Sequence, residues 1–308
     1  LQSQATAQML ASEGASQLPA LDIQIDQFEW RGLALGRLEV EALNRLVPMA
    51  GGAALPEWRL NRLRLSTPEA QLDASGNWAA LGTPGRPRSA FGFTLDLRDS
   101  GALLTRLGLP QTLRGGKGQL TGQVNWLGSP LEPDPLTMSG DIQVRINAGQ
   151  FLKADPGIAK LLGVLSLQSL PRRLTLDFRD LFQQGFAFDA IDGDVKVTQG
   201  VAATRNLRMR GVQAIVLMEG QADLAKETQN LHVFVVPQIN AEAASLAYAA
   251  INPVIGIGTF IAQYLLRKQV ADASTQEFMV TGPWADPHVE KLERGPKPAE
   301  VTAPRKPS

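Results

Sequence analysis

Residues 91–97, FGFTLDL, set Phe91, Phe93, Leu95 and Leu97 at every second position, with Gly92, Thr94 and Asp96 between them. A strand with side chains alternating between two faces turns this spacing into one apolar and one polar surface. The same period recurs in both directions. Ile23 and Ile25 lead through Phe28 and Trp30 to a turn at Arg31-Gly32 and on to Leu33, Leu35, Leu38 and Val40. Leu60, Leu63 and Leu65 turn at Thr67-Pro68 into Leu72, Ala74 and Trp78. Downstream come Leu120, Val124 and Trp126, then Ile142, Val144 and Ile146, and later Leu174, Leu176, Phe178, Phe186, Phe188, Val195, Val197, Ile215 and Leu217. Leu231 to Val236 is apolar at nearly every position, and Phe278 to Val280 begin a last strand over 276–292. Roughly 13–16 strands joined by short turns predict a mainly β chain with antiparallel meander pairing.

Glycine recurs inside this pattern, in LDASGNW (72–78), LTGQVNW (120–126), MSGDIQV (138–144), IDGDVKV (191–197) and MEGQADL (218–224). These glycines are either bends that curl a long sheet or turn residues between shorter strands. Gly115 to Gly118 and Asp192-Gly193-Asp194 read as turns. Three short helices are expected. Asp99 caps one through Leu107, Asp155-Pro156 opens one through about Leu167, and Ala243 to Leu266 runs 24 residues without a charge before Arg267 and Lys268. Pro253 breaks that run into two helices, about 241–251 and 253–268. Tyr248, Ile251, Val254, Ile257, Phe260, Ile261, Tyr264 and Leu265 make this hairpin apolar nearly all round, which suits either a protein core or lipid. Residues 1–18 read as a flexible start on a chain that begins with Leu1, as a piece of a longer protein would. The proline-rich tail within 293–308 reads as disordered.

Lys and Arg number 30, as do Asp and Glu, so the electrostatic footprint of nucleic-acid binding is missing. There are no cysteines and two histidines, His232 and His288, without metal-ligand spacing. No GxSxG elbow occurs. Asp192 with Asp194 and Asp177 with Asp180 are the carboxylate pairs to weigh for glycoside chemistry, and their spacing alone does not build an active site. The sequence therefore predicts no enzyme, no metal and no cofactor. What it does predict is a surplus of apolar strand surface over what short helices cover. The sheet must close on itself or keep one face for an apolar ligand.

Residues 149–190 (GQFLKADPGIAKLLGVLSLQSLPRRLTLDFRDLFQQGFAFDA), 227–240 (ETQNLHVFVVPQIN) and 278–292 (FMVTGPWADPHVEKL) resemble the C-terminal region of the YhdP family, one of the AsmA-like proteins of the Gram-negative envelope. That resemblance implies a bridge-like lipid transfer protein, anchored in the inner membrane and extending through the periplasm as a curled sheet with an apolar groove for phospholipids. It carries over no catalytic residues. On this reading the groove candidates are Leu174, Leu176, Phe178, Phe186, Phe188, Val195, Val197, Ile215, Leu217, Val233 and Val235, and the hairpin closes the groove or touches a membrane. The competing expectation is an envelope scaffold with a closed, dry sheet that binds a protein partner through the hairpin.

Overall fold

A computed structural model describes residues 18–48, 54–79, 86–152, 185–212, 214–237 and 276–292. Their strands are β1 (Leu21–Trp30), β2 (Leu33–Pro48), β3 (Ala54–Ser66), β4 (Ala70–Ala79), β5 (Arg88–Leu97), β6 (Leu113–Leu127), β7 (Ser139–Phe151), β8 (Phe186–Thr198), β9 (Val201–Gly211), β10 (Ala214–Asp223), β11 (Thr228–Pro237), β12 (Gln276–Pro283) and β13 (His288–Leu292). They form a single 13-stranded sheet whose spatial order is the chain order. Every pairing is antiparallel, and β1 and β13 do not meet, so the sheet is unclosed. The expected meander is present, and the closed barrel is not.

The turns follow from local chemistry. Arg31 and Gly32 both take positive φ (50° and 78°) at the tight β1–β2 hairpin. At β3–β4 the Thr67 backbone N–H donates to the Ala70 carbonyl, and the Thr67 hydroxyl accepts from the Ala70 N–H. Two expected turns are corrected. Gly115 to Gly118 lie inside β6, and Asp192-Gly193-Asp194 lie inside β8, which runs unbroken from Phe186 to Thr198. Asp192 is held there by Arg208 at 2.7 Å and Asp194 by Asn206, also at 2.7 Å, so the carboxylates that suggested a turn make cross-strand bonds instead. The last strand expected over 276–292 is two strands, β12 and β13, joined at Trp284–Pro287.

One of the three expected helices falls within the described residues. It is α1 (Ser100–Arg106), capped by Asp99, whose side chain accepts the Ala102 N–H at 2.9 Å. The helices expected at 155–167 and 241–268 lie outside the described residues. So do the start at 1–17 and the tail from 293. No helix among the described residues is long and apolar enough to cross a membrane. α1 sits at one end of the sheet, where Leu104 packs on the cluster containing Leu113. Arg106 donates to both Glu69 carboxylate oxygens (2.9 and 2.7 Å) and to the Ala34 carbonyl of β2 (2.9 Å). That end is thereby strapped from β6 to β2.

Strand glycines mark close approaches between neighbouring strands. At Gly76, Gly122, Gly140, Gly193 and Gly220, the positions the sequence singles out, a Cβ would overlap the backbone of the adjacent strand. At Gly122 the overlap is with the Asp141 carbonyl oxygen and Ile142 Cα. Gly92, one strand away on the opposite face, would set its Cβ in ordinary contact with the Gly122 carbonyl oxygen at 3.9 Å. We expect Gly122→Ala to cost about 1–3 kcal/mol of stability, while Gly92→Ala stays within about 1 kcal/mol of wild type and tends to stabilise; urea denaturation of the two variants checks this. A second expectation concerns α1. The Arg106 guanidinium outweighs desolvation and holds the Glu69 carboxyl down at about 2. A depressed carboxylate stabilises the fold above its unfolded-state pKa and loses that contribution as pH falls towards its folded value. Wild type should therefore exceed Glu69→Gln by about 2 kcal/mol near neutral pH, and most of that margin should vanish by about pH 3 in parallel denaturation curves.

Candidate functional site: an apolar sheet face bounded by a tryptophan row

Residues directly opposed on neighbouring strands share a face, so the pairing registers sort every side chain. One row starts at Ile23 and passes through Val40, Leu63, Ala74, Phe93, Gly122 and Ile142. It continues through Val195, Thr204, Gly220, Leu231, Val280 and Val289, crossing all thirteen strands with one polar residue, Thr204. At about 4.8 Å per strand this stripe is about 58 Å long. A parallel row sets Leu38, Leu65, Leu72, Leu95 and Leu120 side by side, followed by Val144.

The opposite face is polar from β2 to β9, while on β10 and β11 it carries the buried Ile215, Leu217, Phe234 and Val236. Arg64 meets Asp73 at 2.6 Å, Gln119 meets Asp96 at 2.7 Å, and Arg208 meets Asp192. His232 lies 2.5 Å from Glu277 and 3.6 Å from Glu219, bridging β10 to β12. A twisted sheet is saddle-shaped and hollows on both faces. On the polar side a depression of ≈ 1200 Å³ has Thr121, Gln123, Gln143, Lys196 and Arg205 in its walls, together with Asp141 and Asp194.

Strict alternation would put Phe186 and Phe188 on the face opposite Val195 and Val197. The structure brings all four together. Two successive exposed residues, Asn147 and Ala148, interrupt the alternation in β7; Ala148 has φ 50°, beside Gly115 (65°) and Gly116 (86°) of β6. In β8 the register with β9 shifts between Phe188 and Ala190. These irregularities line up across three strands and return the apolar side chains to one face. Phe186, Phe188, Val233 and Val235 then share a cluster with Leu113, Val216, Phe278 and Val280.

Of the sequence-derived groove candidates, Phe186, Phe188, Val195, Val197, Val233 and Val235 stand on the apolar face. Ile215 and Leu217 do not. They oppose Val236 and Phe234 on the other face, where Leu217 is 0% exposed, and Val216 takes the apolar-face position. Leu174, Leu176 and Phe178 lie outside the described residues. So do the hairpin candidates Tyr248, Ile251, Pro253, Val254, Ile257, Phe260, Ile261, Tyr264, Leu265, Arg267 and Lys268.

Sequence reasoning placed the groove in the second half of the chain and left out the leucine row of β2 to β6. It also missed a boundary. At the end of the face away from α1, Asn44, Trp58, Trp78, Ser89 and Trp126 oppose one another in register on β2 to β6. Every one carries a hydrogen-bonding group, while the next row inward is Ala42, Leu60, Gly76, Phe91 and Val124. The repeated Asn-Trp of SGNW and QVNW was the signal.

Burial is uneven. Trp58, Trp78, Leu60 and Ala42 form one buried cluster, and the residues around Phe186 and Phe278 form another. Between them Leu65, Leu72, Leu95, Leu120, Val144 and Ile191 remain half-buried, and Ile23 and Ile25 are 37% and 38% exposed. The middle of the face has no complete cover among the described residues. Nor do His, Asp and Glu gather there in a group of three able to hold a metal.

Comparison with known proteins is consistent with this geometry. The family model described as YhdP protein matches residues 1–289. The intermembrane phospholipid transporter YhdP of Escherichia coli (strain K12) is 29% identical over 234 residues, covering 76% of this chain and 18% of that protein. The chain thus spans less than a fifth of the length of the relative it matches. No solved structure matches it.

Proposed function

Because the chain belongs to the YhdP family, we propose that its apolar sheet face carries phospholipid acyl chains as one portion of an intermembrane lipid conduit. The observation that supports this best is the stripe from Ile23 to Val289, continuous over thirteen strands of an unclosed sheet and half-exposed through its middle. A soluble protein rarely leaves such a contiguous patch to water. An acyl chain covers it well, since each buried CH₂ gains about 0.8 kcal/mol and a ~16-carbon chain about 10 kcal/mol before ordering costs. From β2 to β9 the reverse face is polar and ion-paired, which suits water there.

The same reading places the chain in the periplasm, in a longer protein anchored in the inner membrane, at the end of the conduit far from that anchor, where it serves the outer-membrane lipid barrier. Ala243 to Leu266, uncharged over 24 residues, is then the segment suited to touch lipid where the conduit ends. A scaffold with a dry, closed sheet fits less well, because β1 and β13 are unjoined.

The experiment uses face parity as its control. Val144 is half-buried on the apolar face, and its neighbour Gln143 is exposed on the polar one. Val144→Glu buries a charge under any bound acyl chain and should lower co-purifying phospholipid by about tenfold or more, read by lipid mass spectrometry. Gln143→Glu should leave it unchanged. Equal lipid in both variants, or none in wild type under gentle extraction, would overturn the reading.

A further inference from the structure

The boundary row contains one unanswered donor. Asn44 Nδ2 donates to the Leu18 carbonyl at 3.0 Å, and Trp58 Nε1 to the Pro19 carbonyl at 3.0 Å. Ser89 Oγ donates to the Gly128 carbonyl and Trp126 Nε1 to the Ser129 carbonyl, both at 2.8 Å. Trp78 Nε1, at the centre of the row, is buried and meets no acceptor. Its residue is 5% exposed. A buried N–H is almost always paired, and one left without a partner in a wall whose other four polar groups are satisfied is a place where a water or a ligand group would supply the acceptor.

Resting on the lipid-conduit reading, we propose that Trp78 Nε1 donates to an acyl ester carbonyl of a bound glycerolipid, and that the row Asn44–Trp58–Trp78–Ser89–Trp126 fixes where the polar end of that lipid stops. Three observations converge. Inward of the row the side chains of β2 to β6 are apolar at Ala42, Leu60, Phe91 and Val124 and continue so to the leucine row, which gives an acyl chain no polar atom to meet. Indole side chains combine a flat apolar body with a single donor and therefore settle where hydrocarbon gives way to polar groups. The dimensions also agree. From Ser89 to Leu97 on β5 the face runs about 26 Å at about 3.3 Å per residue, against about 15 Å for the acyl chains of one leaflet. A chain laid along the strands from the tryptophan row thus ends short of α1.

The ester carbonyl is the acceptor nearest the acyl chain, one bond from where the hydrocarbon begins. An ether-linked lipid has the same chains and headgroup and no carbonyl. The chain with all described elements intact should bind a diacyl phosphatidylethanolamine about five- to tenfold more tightly than its dialkyl ether analogue, as one hydrogen bond in a dry site implies. Trp78→Phe keeps a smaller aromatic ring and deletes the donor, so it should lose the ester preference and bind the two lipids equally. Competition against a fluorescent phospholipid gives the four affinities, and thermal melting checks that the variant folds. An unchanged ester preference in Trp78→Phe overturns the assignment, as does a wild type that binds both lipids equally; the latter comparison needs no variant at all. A wild type that binds neither lipid removes the conduit reading and this assignment with it.

Discussion

Everything in this molecule hangs on keeping the two-residue period of the strand in register from one strand to the next. A slip of one residue at any interface would pass the apolar set from one face to the other for every strand beyond it. The pairings hold it. Where the register does shift, between Leu60 and Leu63 of β3 or Phe188 and Ala190 of β8, the extra residue is absorbed and apolar side chains resume on the same side. The aligned irregularity of Gly115, Gly116 and Ala148 does the same without a register shift. Three neighbouring strands turning over together is what an intact stripe requires, since a flip in one alone would set an apolar row against a polar one.

The two faces contribute unequally to stability. Pairs such as Arg64 with Asp73 are partly exposed, and each such pair contributes little. Their arrangement matters more than their strength, because opposite charges facing each other across strands favour the native register and disfavour its neighbours. On the apolar face, burial among the described residues gathers around Trp58 and Trp78 and around Phe186 and Phe278, and on the other face Ile215, Leu217, Phe234 and Val236 are buried as well. α1 fastens one end with the Arg106–Glu69 pair, in which a guanidinium fork holds a carboxylate far below its ordinary range. The fold is thus secured at separate places while the middle of the face stays half-open. On the proposed reading, a surface that carries acyl chains cannot also be filled with the protein's own side chains.

Much of this was legible in the residues. Alternation at Phe91, Phe93, Leu95 and Leu97 gave the strand and its faces, and Asp99 announced α1, whereas the five in-strand glycines, read as bends or turns, turn out to be where strands press together. The misreadings share a physical origin. Gly115–Gly118 and Asp192-Gly193-Asp194 have turn composition, yet both segments pair with β7, from its two sides, and a long-range partner outweighs local preference. Ile215 and Leu217 were read as an alternating pair, yet Val216 between them is apolar too, and such a run carries no parity. Only the pairing of Val216 with Val235 decides it. The tryptophan row was invisible for a related reason: Trp58, Trp78 and Trp126 lie far apart in the chain and become a line only through four successive registers.

The chemistry of the stripe bears on how a lipid would move along it in the conduit reading. Leu38, Leu65, Leu72, Leu95 and Leu120 are one residue type repeated at the strand spacing. An acyl chain shifted by one strand would exchange each contact for an equivalent one, and the energy along that axis would stay nearly level. Across it, along the strands, the surface changes from bare hydrocarbon to a line of indole and amide donors within a few residues. Such a surface is smooth in one direction and graded in the other. It would keep the polar end of a lipid at one edge of the sheet while setting little barrier to movement from one strand to the next.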